Sequence, residues 1–78
     1  MFLEIITPEE KVFEGDVKSL QLPGTEGSFQ ILNNHSAIVS TLQKGNIVLV
    51  DENNQSKEIA VSGGVVEVNS NHIIVLAE

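Results

Sequence analysis

Hydrophobic and polar residues alternate with a period of two along nearly the whole chain, and turn-forming residues cut that alternation into short pieces. Phe2 to Ile6 reads as a first strand, ended by Thr7-Pro8. Thr7-Pro8-Glu9-Glu10 has the make-up of a helix-capping box. A helix started there would meet Gly15 after one turn, and Val12-Phe13 favours extended backbone, so the segment is predicted to be a turn. A second strand begins at Val12-Phe13, with a bulge expected near Gly15-Asp16. Val17 to Leu22 follows, with Leu20 and Leu22 on one face. Pro23-Gly24-Thr25-Glu26-Gly27 is a strong turn signal, because Pro cannot donate to a ladder and Gly accepts positive φ.

The second half of the chain repeats the pattern. Ser28 to Ile31 alternates, Asn33-Asn34-His35-Ser36 forms a polar corner, and Ala37 to Leu42 is apolar again. Lys44-Gly45-Asn46 turns into Ile47-Val48-Leu49-Val50, which is apolar on both faces and so predicts a central or covered strand. Asp51 to Ser56 is a polar hairpin tip before Glu58 to Val61. After Ser62-Gly63-Gly64, the runs Val65–Val68 and His72–Leu76 form a last hairpin around Asn69-Ser70-Asn71. About nine or ten short strands at this spacing predict an all-β sandwich or barrel occupying 1–78 as one domain.

Composition agrees with strands and narrows the chemistry. The apolar residues are aliphatic and β-branched, with ten Val and eight Ile, and Trp and Tyr are absent. A chain of 78 residues has room for one core, and without cysteine it has no disulfide to hold it. Four Lys, no Arg and eleven acidic residues give a net charge of −7, which argues against a phosphate or nucleic-acid surface. No run reaches the roughly 18 to 20 apolar residues of a spanning helix. Met1-Phe2-Leu3-Glu4 lacks the basic start of a signal peptide, so a cytosolic chain is expected.

Candidate chemical motifs fail on spacing. Gly24-Thr25-Glu26-Gly27 and Ser62-Gly63-Gly64 lack the longer glycine spacing and the Lys of a phosphate loop, and read as turn glycines. His35 and His72 are too far apart, and too few, for a local zinc site. His35-Ser36 would place its side chains on opposite faces of a strand, and nothing nominates a catalytic carboxylate pair. Asn34-His35-Ser36 and Asn54-Gln55-Ser56 match the glycosylation sequon as chance matches in Asn-rich turns. No enzyme, no metal and no cofactor is expected.

The order of segments resembles a known family. Leu3-Glu4-Ile5-Ile6-Thr7-Pro8-Glu9 with Val12-Phe13-Glu14-Gly15, and Leu22-Pro23-Gly24-Thr25-Glu26-Gly27-Ser28-Phe29, are similar to the opening and the first glycine turn of the epsilon subunit of bacterial-type F-type ATP synthases. His35-Ser36-Ala37-Ile38-Val39, Leu42-Gln43-Lys44-Gly45, Ser62 to Val68 and Ile74 to Glu78 continue the likeness across the whole chain. Gln30 stands where the family commonly has Gly, and Asn33-Asn34 where it has Pro-Gly. Asn tolerates positive φ, so that corner can survive.

The resemblance implies a ten-stranded, two-sheet β-sandwich or flattened barrel, a non-catalytic piece of the rotating central stalk. Its implied partners are the gamma subunit and the c-ring of the membrane sector, and its implied place is peripheral, on the cytoplasmic side of the inner membrane. The c-ring contact is expected at Gly24, Thr25, Glu26, Gly27 and Ser28. The gamma contact is expected at His35, Ile38, Val39, Ser40 and Leu42, since Ile38, Val39 and Leu42 exceed what one inner face requires. The chain stops at Glu78, before the family's two C-terminal helices, so ATP binding and the inhibitory behaviour those helices carry are not expected of it. The rival reading is a lipoyl- or biotinyl-type carrier domain of similar size and acidity, or another stand-alone β binding module. The modified Lys of a carrier would be Lys44 or Lys57, neither of which has the flanking residues of such carriers.

Overall fold

Alternation of β-branched and polar residues leaves the backbone few choices but the extended one, and every regular element found is a strand. The computed structural model describes residues 1–33 and 36–78. Its elements are β1 (Phe2–Ile6), β2 (Lys11–Gly24), β3 (Gly27–Leu32), β4 (Ile38–Leu42), β5 (Gly45–Asp51), β6 (Ser56–Val61), β7 (Gly64–Asn69) and β8 (His72–Ala77).

The first half of β2 pairs antiparallel with β1, from Phe2↔Asp16 to Ile6↔Lys11. β1 pairs parallel with β8, β8 antiparallel with β7, and β7 antiparallel with β4. β4 then meets β2 again through Gly24↔Leu42, which closes a circuit of five strands. The second half of β2 carries β3 and β5, and β6 adds to β5.

The all-β expectation holds, while ten strands in two separate sheets are not found among the described residues. Eight strands form one hydrogen-bonded sheet. The reason is β2, whose 14 residues run unbroken where Gly15-Asp16 was expected to bulge. Gly15 and Asp16 instead sit in regular register with Leu3 and Phe2. The irregularities fall to either side: opposite Ile5/Ile6, where Val12 is the extra residue, and at Val17/Ser19, where Lys18 is. The second of these lies where β2 passes from β1 to β5, so one strand serves both halves of the molecule.

Inward positions from all strands meet in one core, including Leu3, Ile5, Leu20, Leu22, Ile31, Ile47, Leu49, Val66, Ile73 and Val75, and no polar side chain among the described residues is buried. Each large aliphatic side chain removed from water is worth about 1.5–3 kcal/mol. β5 lies between β2 and β6 as its two-sided apolar pattern predicts, with Ile47 and Leu49 buried and Val48 and Val50 half-buried.

The turns follow local chemistry. Ser70 and Asn71 both take positive φ (50° and 65°), the primed two-residue turn that suits the twist of the β7–β8 hairpin. At the first turn, the Thr7 Oγ1 accepts from the Glu10 amide at 3.2 Å, as a capping threonine does, but the chain reverses into β2 without a helix. Gly64 is required by its neighbours, since a Cβ there would lie 2.3 Å from the Leu76 carbonyl oxygen.

Candidate interaction surfaces

Two segments stood out in the sequence as contact regions, and the fold brings them together at one corner. β2 and β3 form a hairpin in which Gly24 pairs with Gly27 across Thr25-Glu26. Gly27 takes φ +125°, which a side chain would resist, and no neighbour fills the space its Cβ would occupy. Gly24 is needed for closeness instead: a Cβ there would lie 2.7 Å from the Gly27 oxygen and 2.8 Å from the Phe29 ring. Thr25, Glu26, Gly27 and Ser28 are all exposed, and Gly24 is buried beneath them. Gln21 Nε2 donates to Ser28 Oγ at 3.1 Å and steadies the β3 side of the hairpin.

β4 abuts this hairpin. Besides the Gly24↔Leu42 bridge, the Thr25 amide donates to the Thr41 carbonyl at 3.1 Å and the Gln43 amide to the Pro23 carbonyl at 2.8 Å. The two hydroxyls, Thr25 Oγ1 and Thr41 Oγ1, are 2.8 Å apart and hydrogen-bonded. Pro23 is tolerated inside β2 because β5 has left that flank by Gln21↔Val48.

Along β4 the side chains divide by parity. Ile38, Ser40 and Leu42 share the inner side with Val68, Val66 and the core; Leu42 is 5% exposed and Ile38 packs against the core cluster. The surplus of apolar residues on this segment therefore reduces to Val39, which is 71% exposed. Ile38 and Leu42, counted toward that surplus from the sequence, belong to the inner face because β4 alternates strictly. His35 lies outside the described residues.

Sequence reasoning passed over two neighbours. Val65 and Leu76 lie on the same outer side as Val39, in register through Thr41↔Val65↔Leu76, and are 38% and 54% exposed. Counting parity from buried Val66 and Val75 along β7 and β8 would have found them.

The same outer side carries the charged cluster. Glu4 accepts from His72 Nε2 at 2.8 Å and from Lys11 Nζ at 3.1 Å, and Lys11 also pairs with Glu14. The hydrogen bond from His72, then that from Lys11, holds the Glu4 carboxyl below its ordinary value. Glu14 and Glu4 push the Lys11 ammonium above its ordinary value. The His72 ring also meets Phe2 edge-on, with centroids 5.3 Å apart. Among the described residues, no three His, Cys, Asp or Glu side chains gather as a metal site, and no helix is long and apolar enough to cross a membrane.

Comparison with known proteins bears on what these surfaces serve. The sequence profile of the ATP synthase delta/epsilon chain β-sandwich domain matches residues 1–78. The ATP synthase epsilon chain of Campylobacter curvus is 37% identical over 78 residues, all of this chain and 60% of the relative. That of Campylobacter hominis is 42% identical, over 99% of this chain and 60% of the relative. The chain thus spans about 60% of the length of these relatives. Among solved structures, a chain of the Euglena gracilis mitochondrial ATP synthase OSCP/F1/c-ring assembly superposes with a TM-score of 0.90 at 21% identity, over 96% of this chain and 48% of the other. One of the Tetrahymena thermophila mitochondrial ATP synthase central stalk and c-ring superposes at 0.80 and 23%, over 99% and 62%. At such identity these two likenesses establish a shared fold.

Proposed function

The chain belongs to the ATP synthase delta/epsilon-chain β-sandwich family, and from that membership we propose that it works as a non-catalytic part of the rotating central stalk. In this reading it holds the gamma subunit with one surface and the c-ring with another, so that proton flow is coupled to ATP synthesis elsewhere in the complex. It sits peripherally on the cytoplasmic side of the inner membrane. The observation that carries the proposal is the whole-chain match to epsilon chains, which also favours it over a carrier domain modified at Lys44 or Lys57.

The c-ring contact is assigned to the hairpin Gly24, Thr25, Glu26, Gly27 and Ser28. Its exposed tip, on a hairpin held by Gly24 and Gly27, supports a role as a stiff probe at the rim of the domain. The gamma contact is assigned to the stretch of sequence from His35 to Leu42 and centres on Val39 of β4. Ile38, Ser40 and Leu42 support it from beneath, and Val65 and Leu76 extend it on the same side. Burying such exposed aliphatic area is the usual source of affinity at a protein interface.

Two substitutions in the assembled enzyme test the assignment. Val39→Asp places a charge in the proposed gamma surface and abolishes co-purification with gamma; unchanged binding would sink that contact. Glu26→Lys, together with replacement of residues 24–28, disrupts rotor assembly and proton-coupled synthesis. Untouched assembly and synthesis would remove the hairpin from the c-ring contact.

A further inference from the structure

The two proposed contact regions lie on either side of β3 in the chain, and they meet at one small hydrogen-bonded corner. β4 pairs along its length with β7, and its ladder contact with β2 is the single bridge Gly24↔Leu42. Around that bridge stand two backbone bonds, Thr25 N–H to the Thr41 carbonyl at 3.1 Å and Gln43 N–H to the Pro23 carbonyl at 2.8 Å, and the Thr25–Thr41 hydroxyl pair at 2.8 Å. Among the described residues this corner is the direct hydrogen-bonded path from the hairpin tip to β4. Its neighbours line up along the path: Glu26 follows Thr25, and Val39 lies two residues from Thr41 on the same side of β4.

We infer that the Thr25–Thr41 clasp is a positioning pair that carries mechanical load between the hairpin 24–28 and the outer surface of β4. A load at the hairpin tip can reach β4 by the long covalent route through β3 and residues 33–37, or by the clasp. The clasp is far shorter. Two hydroxyls bonded side by side with a backbone N–H···O bond fix both the separation and the rotation of the hairpin relative to the strand. The bridge Gly24↔Leu42 alone would let the tip pivot. This inference rests on the proposed reading of the two surfaces as partner contacts, and it adds that their relative position, besides their separate affinities, sets the coupling.

The test uses the assembled rotary complex carrying Thr25→Val, Thr41→Val, both together, or the corresponding Ser pair. Valine keeps the branched shape and removes the hydroxyl; serine keeps the hydroxyl. In the double-Val variant, amide exchange at residue 25 and Gln43, the two backbone donors across the corner, speeds up about fivefold, the equivalent of one net hydrogen bond of ~1 kcal/mol at 1.4 kcal/mol per tenfold. The two single Val variants are non-additive with the double one, because either removes the same bond. In Thr41→Val, which removes the clasp without altering a residue of the proposed c-ring contact, gamma and the c-ring still co-purify and proton pumping per ATP hydrolysed falls, and the Ser pair restores both exchange and pumping.

Unchanged pumping with both partners bound overturns the inference and leaves the proposed function standing. Loss of either partner in Thr41→Val also overturns it, since the clasp would then build a contact instead of transmitting through one. A wild-type chain that binds neither gamma nor the c-ring overturns the proposed function itself.

Discussion

The corner where β4 meets the β2–β3 hairpin and the seam where β1 meets β8 are both places where distant parts of the chain are joined. They are joined by different physics. At the seam, His72, Glu4, Lys11 and Glu14 form a chain of charges on an outer face, and the ion pairs among the described residues gather there. At the corner no charged group takes part: the bonds are two backbone N–H···O contacts, two hydroxyls and a close glycine approach. Charge pairs on a surface tolerate shifts of a long side chain and answer to pH and salt. Backbone and hydroxyl bonds at a tight glycine turn answer to neither, and hold geometry. A part that must keep one shape under load gains from the second kind of joint.

Steric damage to the corner is the largest effect this contrast predicts. Gly24→Ala puts a Cβ within 2.7 Å of the Gly27 oxygen and 2.8 Å of the Phe29 ring, and the oxygen belongs to backbone that cannot swing aside. Overpacking of this kind costs about 1–3 kcal/mol. Denaturant unfolding should show the unfolding free energy lowered by that amount, with the same loss at pH 5 and pH 7. A strong pH dependence of the loss would mean that charge contributes to the corner after all.

Seam substitutions should give a smaller effect with the opposite signature. The folded Glu4 carboxyl titrates below its ordinary value, first through His72 and then through Lys11. Its contribution to stability is therefore fully present above the unfolded value of 4.5 and is lost as pH falls through the lower folded value. Lys11 runs the other way: its folded value lies above 10.5, so its contribution holds below 10.5 and is lost as pH rises through the folded value. Glu4→Gln should lower the unfolding midpoint at pH 7 by less than Gly24→Ala does. The difference from wild type should close as pH drops well below 4.5. A difference that stays constant into acid would show that the seam is held by packing, as at Phe2 against His72, and not by charge.

The two joints were unequally legible in the sequence, for a physical reason. The strands of the seam could be read because strand content and hairpin turns are local: alternation marks β1, β7 and β8, and Ser70-Asn71 marks the tight turn between the last two. Their pairing partners could not, since β1 joins β8 across the full length of the chain. At the corner, Pro23 to Gly27 announced a turn, but Pro23 suggested a strand end, and farther back Gly15-Asp16 a bulge, where β2 continues. Both are tolerated because of neighbours that sequence does not display: β5 has departed at Pro23, and β1 keeps register at Gly15. Val39 was marked correctly as surplus, whereas Ile38 and Leu42 needed only a strict count of alternation to be placed inside. The pairing of Thr25 with Thr41 gave no signal at all, since a hydroxyl pair across a corner depends wholly on tertiary geometry.

Salt offers the finest probe of the contrast and the smallest effect. The Debye length is ~10 Å at 0.1 M salt and ~3 Å at 1 M. The seam contacts of 2.8 and 3.1 Å are themselves about as long as the shorter of these, so screening weakens them without abolishing the hydrogen bonds between the same atoms. Raising salt from about 0.1 to 1 M should therefore shrink the destabilisation caused by Glu4→Gln only in part. That caused by Thr25→Val with Thr41→Val should not change, because no net charge crosses the corner. General salt effects on the core act on every variant alike and cancel when each is compared with wild type at the same salt. Equal salt sensitivity in the two variants would erase the distinction between a charged seam and a neutral corner.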